Sequence, residues 1–126
     1  LLAVAVGGAA GSVARYLTLL LIAQWVGTRF PMGTIIVNLI GCTVMGVLSE
    51  LASLTWSPSP EIRALLLVGV LGGFTTFSSF TLDIGVLVAR DEIAAAAGYF
   101  LASTLFSVVG FFAGLWAVRS LVSVSI

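Results

Sequence analysis

The sequence predicts an all-α integral membrane protein with four transmembrane helices, the third broken in mid-membrane. Three observations carry that fold class. Of the 126 residues, 60% are hydrophobic and only 8% are charged, against about 25% charged in a soluble domain. The apolar residues gather into four long stretches, each holding the ~20 residues a helix needs to cross a ~30 Å hydrocarbon core. The third stretch contains Gly72-Gly73-Phe74-Thr75-Thr76-Phe77-Ser78-Ser79-Phe80-Thr81. That run is poor helix material, since each Gly costs ~1 kcal/mol against Ala and threonine is β-branched. The predicted spans, about 1–25, 32–54, 61–89 and 92–121, use nearly the whole chain, so residues 1–126 are expected to form one domain with no soluble part.

The first stretch is too long for the apolar region of a signal peptide and holds Arg15 in its middle. Gly7 and Gly11 give it a small-xxx-small face that another helix can approach closely, and Ser12 and Arg15 share a face. Gly27-Thr28-Arg29-Phe30 is a loop, and Pro31 stands near the start of the second helix, where its missing N–H costs nothing. In that helix Thr34, Asn38, Gly41 and Met45 fall on one stripe. Trp56-Ser57-Pro58-Ser59-Pro60 is a turn, with Ser59, Pro60 and Glu61 as N-cap, first helical residue and first-turn acid.

The third stretch would measure ~43 Å as a continuous helix at ~1.5 Å per residue, a surplus that fits two half-helices. Arg90 closes it, and Asp91 is expected to cap the fourth helix. There Tyr99, Ser103 and Ser107 recur every four residues as a polar track. Gly110 and Gly114 offer a second close-packing face.

Composition excludes several chemistries. The chain has no His and a single Cys42, so disulfide frameworks, zinc sites, haem ligation by His and His-dependent hydrolytic triads are ruled out within one chain. Cys42 is expected to be a small packing residue. The formal net charge is zero, which offers no patch for nucleic acid. No nucleophile–base pair is evident, so the protein is not expected to be an enzyme.

Topology can be argued from the five arginines. Four spans place Arg29 and Arg90 on one side, Arg63 and Arg119 on the other, and Arg15 within the membrane. Orientation is set by asymmetry in such counts, and here there is none. Either insertion in both orientations follows, or a preceding N-terminal piece carries the deciding charge, since the chain begins at Leu1 rather than Met. Dual insertion makes an antiparallel two-fold homodimer the natural assembly.

A broken helix in lipid survives only where it is buried in protein or lines a cavity or ion site. Its freed carbonyls are hard ligands for Na⁺ or a similar cation; alternatively the break is a kink repaired by Ser/Thr back-bonding. Phe77 and Phe80 share a face after the break and could set partly positive ring edges against an anion, or face lipid. Asn38 supplies two N–H donors to an ion or to a neighbouring helix. Tyr99, Ser103 and Ser107 could pass an anion along, or pack with their hydroxyls back-bonded. Arg15 and Asp83 are the charged residues furthest from loops, where such groups usually face an aqueous path or a partner, unless they snorkel to the interface.

Three runs, in order, resemble the Fluc family of fluoride channels (the CrcB-type proteins). They are Gly7-Gly8-Ala9-Ala10-Gly11-Ser12-Val13-Ala14-Arg15-Tyr16, Gly33-Thr34-Ile35-Ile36-Val37-Asn38-Leu39-Ile40-Gly41 and Gly69-Val70-Leu71-Gly72-Gly73-Phe74-Thr75-Thr76-Phe77-Ser78-Ser79-Phe80. The resemblance covers essentially the whole chain. It implies passive fluoride export across the inner cell membrane by an antiparallel dual-topology homodimer with two pores. It further implies a structural Na⁺ on the two-fold axis, held by the backbone carbonyls of Gly72 and Thr75. Asn38, Phe77, Phe80, Tyr99, Ser103 and Ser107 map to the pore. Asp83 maps to a vestibule acid, often a glutamate in the family, and Arg15 to a first-helix arginine with an electrostatic role at the dimer or vestibule.

The main alternative is a small multidrug exporter, also an antiparallel dimer of four-helix subunits. It works through a carboxylate buried in the first helix, where this chain has only Arg15. A non-conducting membrane subunit would need no polar track.

Overall fold

The computed structural model describes residues 1–125 and is all-helical. Helix α1 spans Leu2–Val26 and α2 spans Met32–Leu54. Helix α3, residues 60–74, runs through Pro60–Arg63, a stretch of wide π-type turns at Ala64–Val70, and Leu71–Phe74. Helix α4 is Ser78–Ala89 and α5 is Ile93–Ser125. Four stretches are long and apolar enough to cross a membrane: Leu2–Val26, Met32–Leu54, Pro60–Ala89 and Ile93–Ser123. The chain is thus a multi-pass membrane protein.

The turns follow from their residues. Gly27 ends α1 at φ 79°, in the left-handed region open to glycine, and its N–H donates to the Ala23 carbonyl at 2.9 Å. Pro31 lies just before α2 rather than inside it. Its φ of −79° and ψ of 60°, with a 2.8 Å bond from Met32 N–H to the Phe30 carbonyl, make an inverse γ-turn. Ser59 caps α3 by accepting from Ile62 N–H at 3.2 Å, with Pro60 and Glu61 following.

Asp91 does not cap α5. It sits at φ 59° just past the end of α4, where Asp91 N–H donates to the Val88 carbonyl and Glu92 N–H to the Leu87 carbonyl. That pair of bonds is a Schellman closure of α4. Asp tolerates the left-handed conformation better than most residues, so it terminates one helix instead of starting the next.

Two close helix pairs build the molecule: α1 lies along α3, and α2 along α5. Close approach is permitted by glycines. A Cβ on Gly7 would meet the Leu65 carbonyl, and one on Gly11 the Val70 carbonyl. In the second pair, Gly46 faces the Phe111 carbonyl, and Gly110 and Gly114 face Thr43. On α5 the buried residues Ala96, Tyr99, Ser103, Gly110, Gly114 and Val118 form one stripe. The polar track and the close-packing face are therefore one continuous face, turned toward α2. A smaller cluster of Ile35, Phe80, Leu87, Ala96 and Tyr99 joins α4 to α2 and α5.

The two turns expected on one side do meet. Arg29 pairs with Glu92 at 2.9 Å, and Arg90 Nη1 donates to the Arg29 carbonyl at 2.8 Å. Toward the other ends of α2 and α5, Arg119 forks onto the buried Glu50 carboxylate, with Nη2 at 3.3 Å from both oxygens. Nothing in the sequence pairs these two residues, which stand 69 positions apart.

Candidate functional site

The site is built around the interval between α3 and α4. Helical backbone stops at Phe74, Thr75 is extended at φ −80° and ψ 158°, and helix resumes at Ser78. The polar groups of Thr75 and Thr76 all have specific partners. The Thr75 N–H and hydroxyl both donate to the Leu71 carbonyl, at 3.0 and 2.9 Å. The next residue is clamped by Asn38, whose Oδ1 accepts from Thr76 N–H at 2.9 Å while its Nδ2 donates to the Thr76 carbonyl at 3.0 Å. The Thr76 hydroxyl then accepts from Ser79 N–H at 3.1 Å, capping α4. Arg15 Nη1 donates to the Thr75 carbonyl at 3.4 Å. Gly41 gives the interval its room, since a Cβ there would meet Thr75 Cγ2.

Beside this interval lies a groove of about 310 Å³. One wall is Asn38 and Cys42 of α2, another Thr75, Thr76, Phe77 and Phe80, and the third Ser103, Thr104, Ser107 and Val108 of α5. The rings of Phe77 and Phe80 lie 5.4 Å apart at 50°. Phe80 is buried, but Phe77 is 78% exposed, a large apolar surface at the groove mouth. Ser103 is buried and its hydroxyl has no hydrogen-bond partner among the described residues. A buried donor left unmade costs ~1–3 kcal/mol, so it marks a place where a ligand atom would be stabilising.

A second polar centre adjoins the first. Asp83 Oδ2 accepts from the hydroxyls of Thr34 and Tyr99, both at 2.8 Å, which ties α2, α4 and α5 together. Tyr99 is fully buried, with its ring against Phe80 at 5.3 Å and edge-on to Phe30 at 5.8 Å. Asp83 also borders a small pocket of about 60 Å³ with Arg29 and Arg90.

The expected site residues therefore divide. Asn38, Phe77, Phe80, Ser103 and Ser107 meet at one groove, with Thr75 on its wall. Tyr99 does not line it, because its hydroxyl is turned to Asp83. Gly72 does not line it either, and the position its Cβ would take is open, with nothing within 4 Å. Arg15 reaches the interval through Thr75. Sequence reasoning missed Thr76 as the clamped residue and helix cap, and missed Cys42, Thr104 and Val108 as groove residues. Cys42 stands four positions after Asn38 and Thr104 one position after Ser103, so helical spacing could have placed the cysteine on the groove face.

Fold and site together define a class, a small polytopic membrane protein with a largely apolar, aromatic-edged groove that carries a few hydroxyl and amide groups beside the α3–α4 interval. The particular family follows from comparison. Residues 2–115 match the family described as "CrcB-like protein, Camphor Resistance (CrcB)". The chain is 55% identical over 123 residues to the fluoride-specific ion channel FluC of Rhodospirillum centenum, covering 98% of each chain. It is 44% identical over 119 residues to that of Nitrobacter winogradskyi, covering 94% of each. Against that of Chelativorans sp. it is 47% identical over 121 residues, with 96% and 97% covered. The chain belongs to the CrcB family, a family of fluoride channels and not of enzymes.

Proposed function

We propose that this protein is a fluoride-selective channel that lets cytoplasmic fluoride leave passively across the inner cell membrane. The observation that carries the reading is the buried Ser103 hydroxyl, with no close hydrogen-bond partner among the described residues, in a groove edged by Phe77 and Phe80. Fluoride is small and strongly hydrated, so a path for it must replace water with donors. Hydroxyl hydrogens, the second N–H of Asn38 and phenyl edges provide positive character without fixed charge. A ring of Lys or Arg would hold the ion too tightly for rapid release. The groove supplies the first kind of lining. Asp83 occupies two neighbouring hydroxyls and acts at a vestibule, while the Arg15 charge biases the local field toward anions.

The working unit in this reading is an antiparallel homodimer with two pores. The exposed Phe77 ring and the open side of Gly72 are what a second copy would cover. The interruption after Phe74 then lies in mid-membrane at the two-fold axis, with a structural Na⁺ against the carbonyls of Gly72 and Thr75. The donor chemistry fits, since carbonyl oxygens are hard ligands and extended Thr75 turns its carbonyl out of the helical ladder. One copy supplies two such oxygens, so a four-oxygen cage needs both. The cation would fasten the subunits and shape the local field without moving.

The test is ion flux. Purified protein in potassium-loaded liposomes, given valinomycin, releases fluoride rapidly and chloride at least about a hundredfold more slowly, a discrimination of ~2.7 kcal/mol at ~1.4 kcal/mol per decade. Comparable release of the two anions would remove the selectivity claim.

A further inference from the structure

Arg15 is the only charged residue of α1, and it forms no ion pair among the described residues. Its described partner is the Thr75 carbonyl, 60 positions away. The contact is held from both sides. Gly11, one turn before Arg15, packs against Val70 and Phe74, and a Cβ on Gly73 would stand 2.7 Å from the Gly8 carbonyl, so α1 and α3 are in direct backbone contact beside Arg15. On the other side, Thr75 is fixed by its own N–H and hydroxyl on Leu71, and the next residue by Asn38. The Thr75 carbonyl is thus presented to the guanidinium by an anchored backbone.

A carbonyl oxygen has two lone pairs, and at 3.4 Å the guanidinium uses one of them weakly. A second cation drawn to that oxygen would meet a like charge that no carboxylate of the described residues neutralises. Two positive charges a few ångströms apart repel substantially in a low-dielectric setting.

We propose that Arg15 is a resident competitor at the Thr75 carbonyl. Its guanidinium and a bound monovalent cation share one oxygen, and Arg15 sets how much cation is needed to fasten two copies together. The inference rests on the reading of Gly72 and Thr75 as a Na⁺ site. It makes Arg15 a positioning and tuning residue for assembly, separate from any effect of its charge on fluoride.

The test is a Na⁺ titration of the purified full-length chain in detergent, starting in Na⁺-free choline buffer. Dimer fraction is read by cross-linking and melting temperature by thermal unfolding. Both rise with Na⁺ in the unmodified protein. Arg15→Gln moves the Na⁺ midpoint about tenfold lower, whereas Arg15→Lys, which keeps the charge, stays within about twofold. Equal midpoints for the unmodified protein and Arg15→Gln overturn the competition and leave the cation site standing. An absence of Na⁺ dependence in every variant overturns the cation site, and the proposal with it. If Arg15→Gln does not fold, Arg15→Met, which keeps an apolar stem, takes its place in the same titration. Fluoride flux falls for electrostatic reasons in the variants that remove the charge under either outcome, so the Na⁺ midpoint is the deciding readout.

Discussion

Two residues carry the sharpest consequences of the site. The Ser103 hydroxyl is buried with no close hydrogen-bond partner among the described residues, so its removal relieves the folded protein of an unmet donor. Ser103→Ala should leave thermal stability unchanged or slightly raised while fluoride flux falls about tenfold, a loss of ~1.4 kcal/mol at the barrier. Unaltered flux would show that the hydroxyl does not touch the ion. Asn38 is the reverse case. Because it satisfies both backbone polar groups of Thr76, Asn38→Leu strands an N–H and a carbonyl beside the α3–α4 interval. The expected cost is about 2–4 kcal/mol, read as a lower unfolding midpoint in detergent. A change under ~0.5 kcal/mol would mean the clamp is not what holds the interval. The sequence offered Asn38 as an ion ligand or as helix glue. The structure shows the glue and leaves one amide N–H uncommitted among the described residues.

At the scale of the element, the glycines decide which helices can touch. Gly7 and Gly11 on α1 meet backbone of α3, whereas a Cβ on Gly8 would find nothing within 4 Å. Gly11→Leu should therefore prevent assembly of the α1–α3 pair, seen as loss of the monodisperse peak in size-exclusion chromatography, because its Cβ would overlap main chain that cannot yield. Gly8→Ala should be tolerated within about 0.5 kcal/mol. If Gly8→Ala and Gly11→Leu behave alike, the packing of α1 is not as described. The wide turns at Ala64–Val70 lie along this same contact, with Gly69 against Gly7. Nothing in the apolar run of that segment announces them, since period and composition match an ordinary helix.

For the whole molecule, the exposed Phe77 ring at the groove mouth calls for a cover. In the antiparallel reading it is a second copy of this chain. Two copies joined through one added membrane-crossing helix, which forces opposite orientations, should conduct fluoride about as fast per dimer as the unlinked protein. A tandem that forces the same orientation should not. Conduction by the parallel tandem alone would refute the two-fold arrangement. Within one chain, the ends of the bundle are already tied. Arg29, Arg90 and Glu92 join the turns on one side, and Glu50 with Arg119 joins α2 to α5 toward the other. Breaking a buried ion pair by removing one partner costs several kcal/mol, but Arg119 is 60% exposed at its side chain, so solvent screening reduces that figure here.

By itself the sequence determined an all-helical chain with four stretches long and apolar enough to cross a membrane, to within a few residues, and the family. These depend on hydrophobicity and local chain chemistry, which act over a few turns of helix and leave their mark in composition and spacing. It also picked out most of the groove, because Ser103 and Ser107, like Phe77 and Phe80, share faces at helical spacing. Only the tertiary structure decided how those faces are used. It turned the Tyr99 hydroxyl to Asp83, spent Asn38 on Thr76, set Arg15 on the Thr75 carbonyl and paired Glu50 with Arg119. Each of these joins residues 16 to 69 positions apart. Helical periodicity says which way a side chain faces, but not which helix it will meet there, and a polar group buried in an apolar bundle takes whichever partner the packing brings within reach.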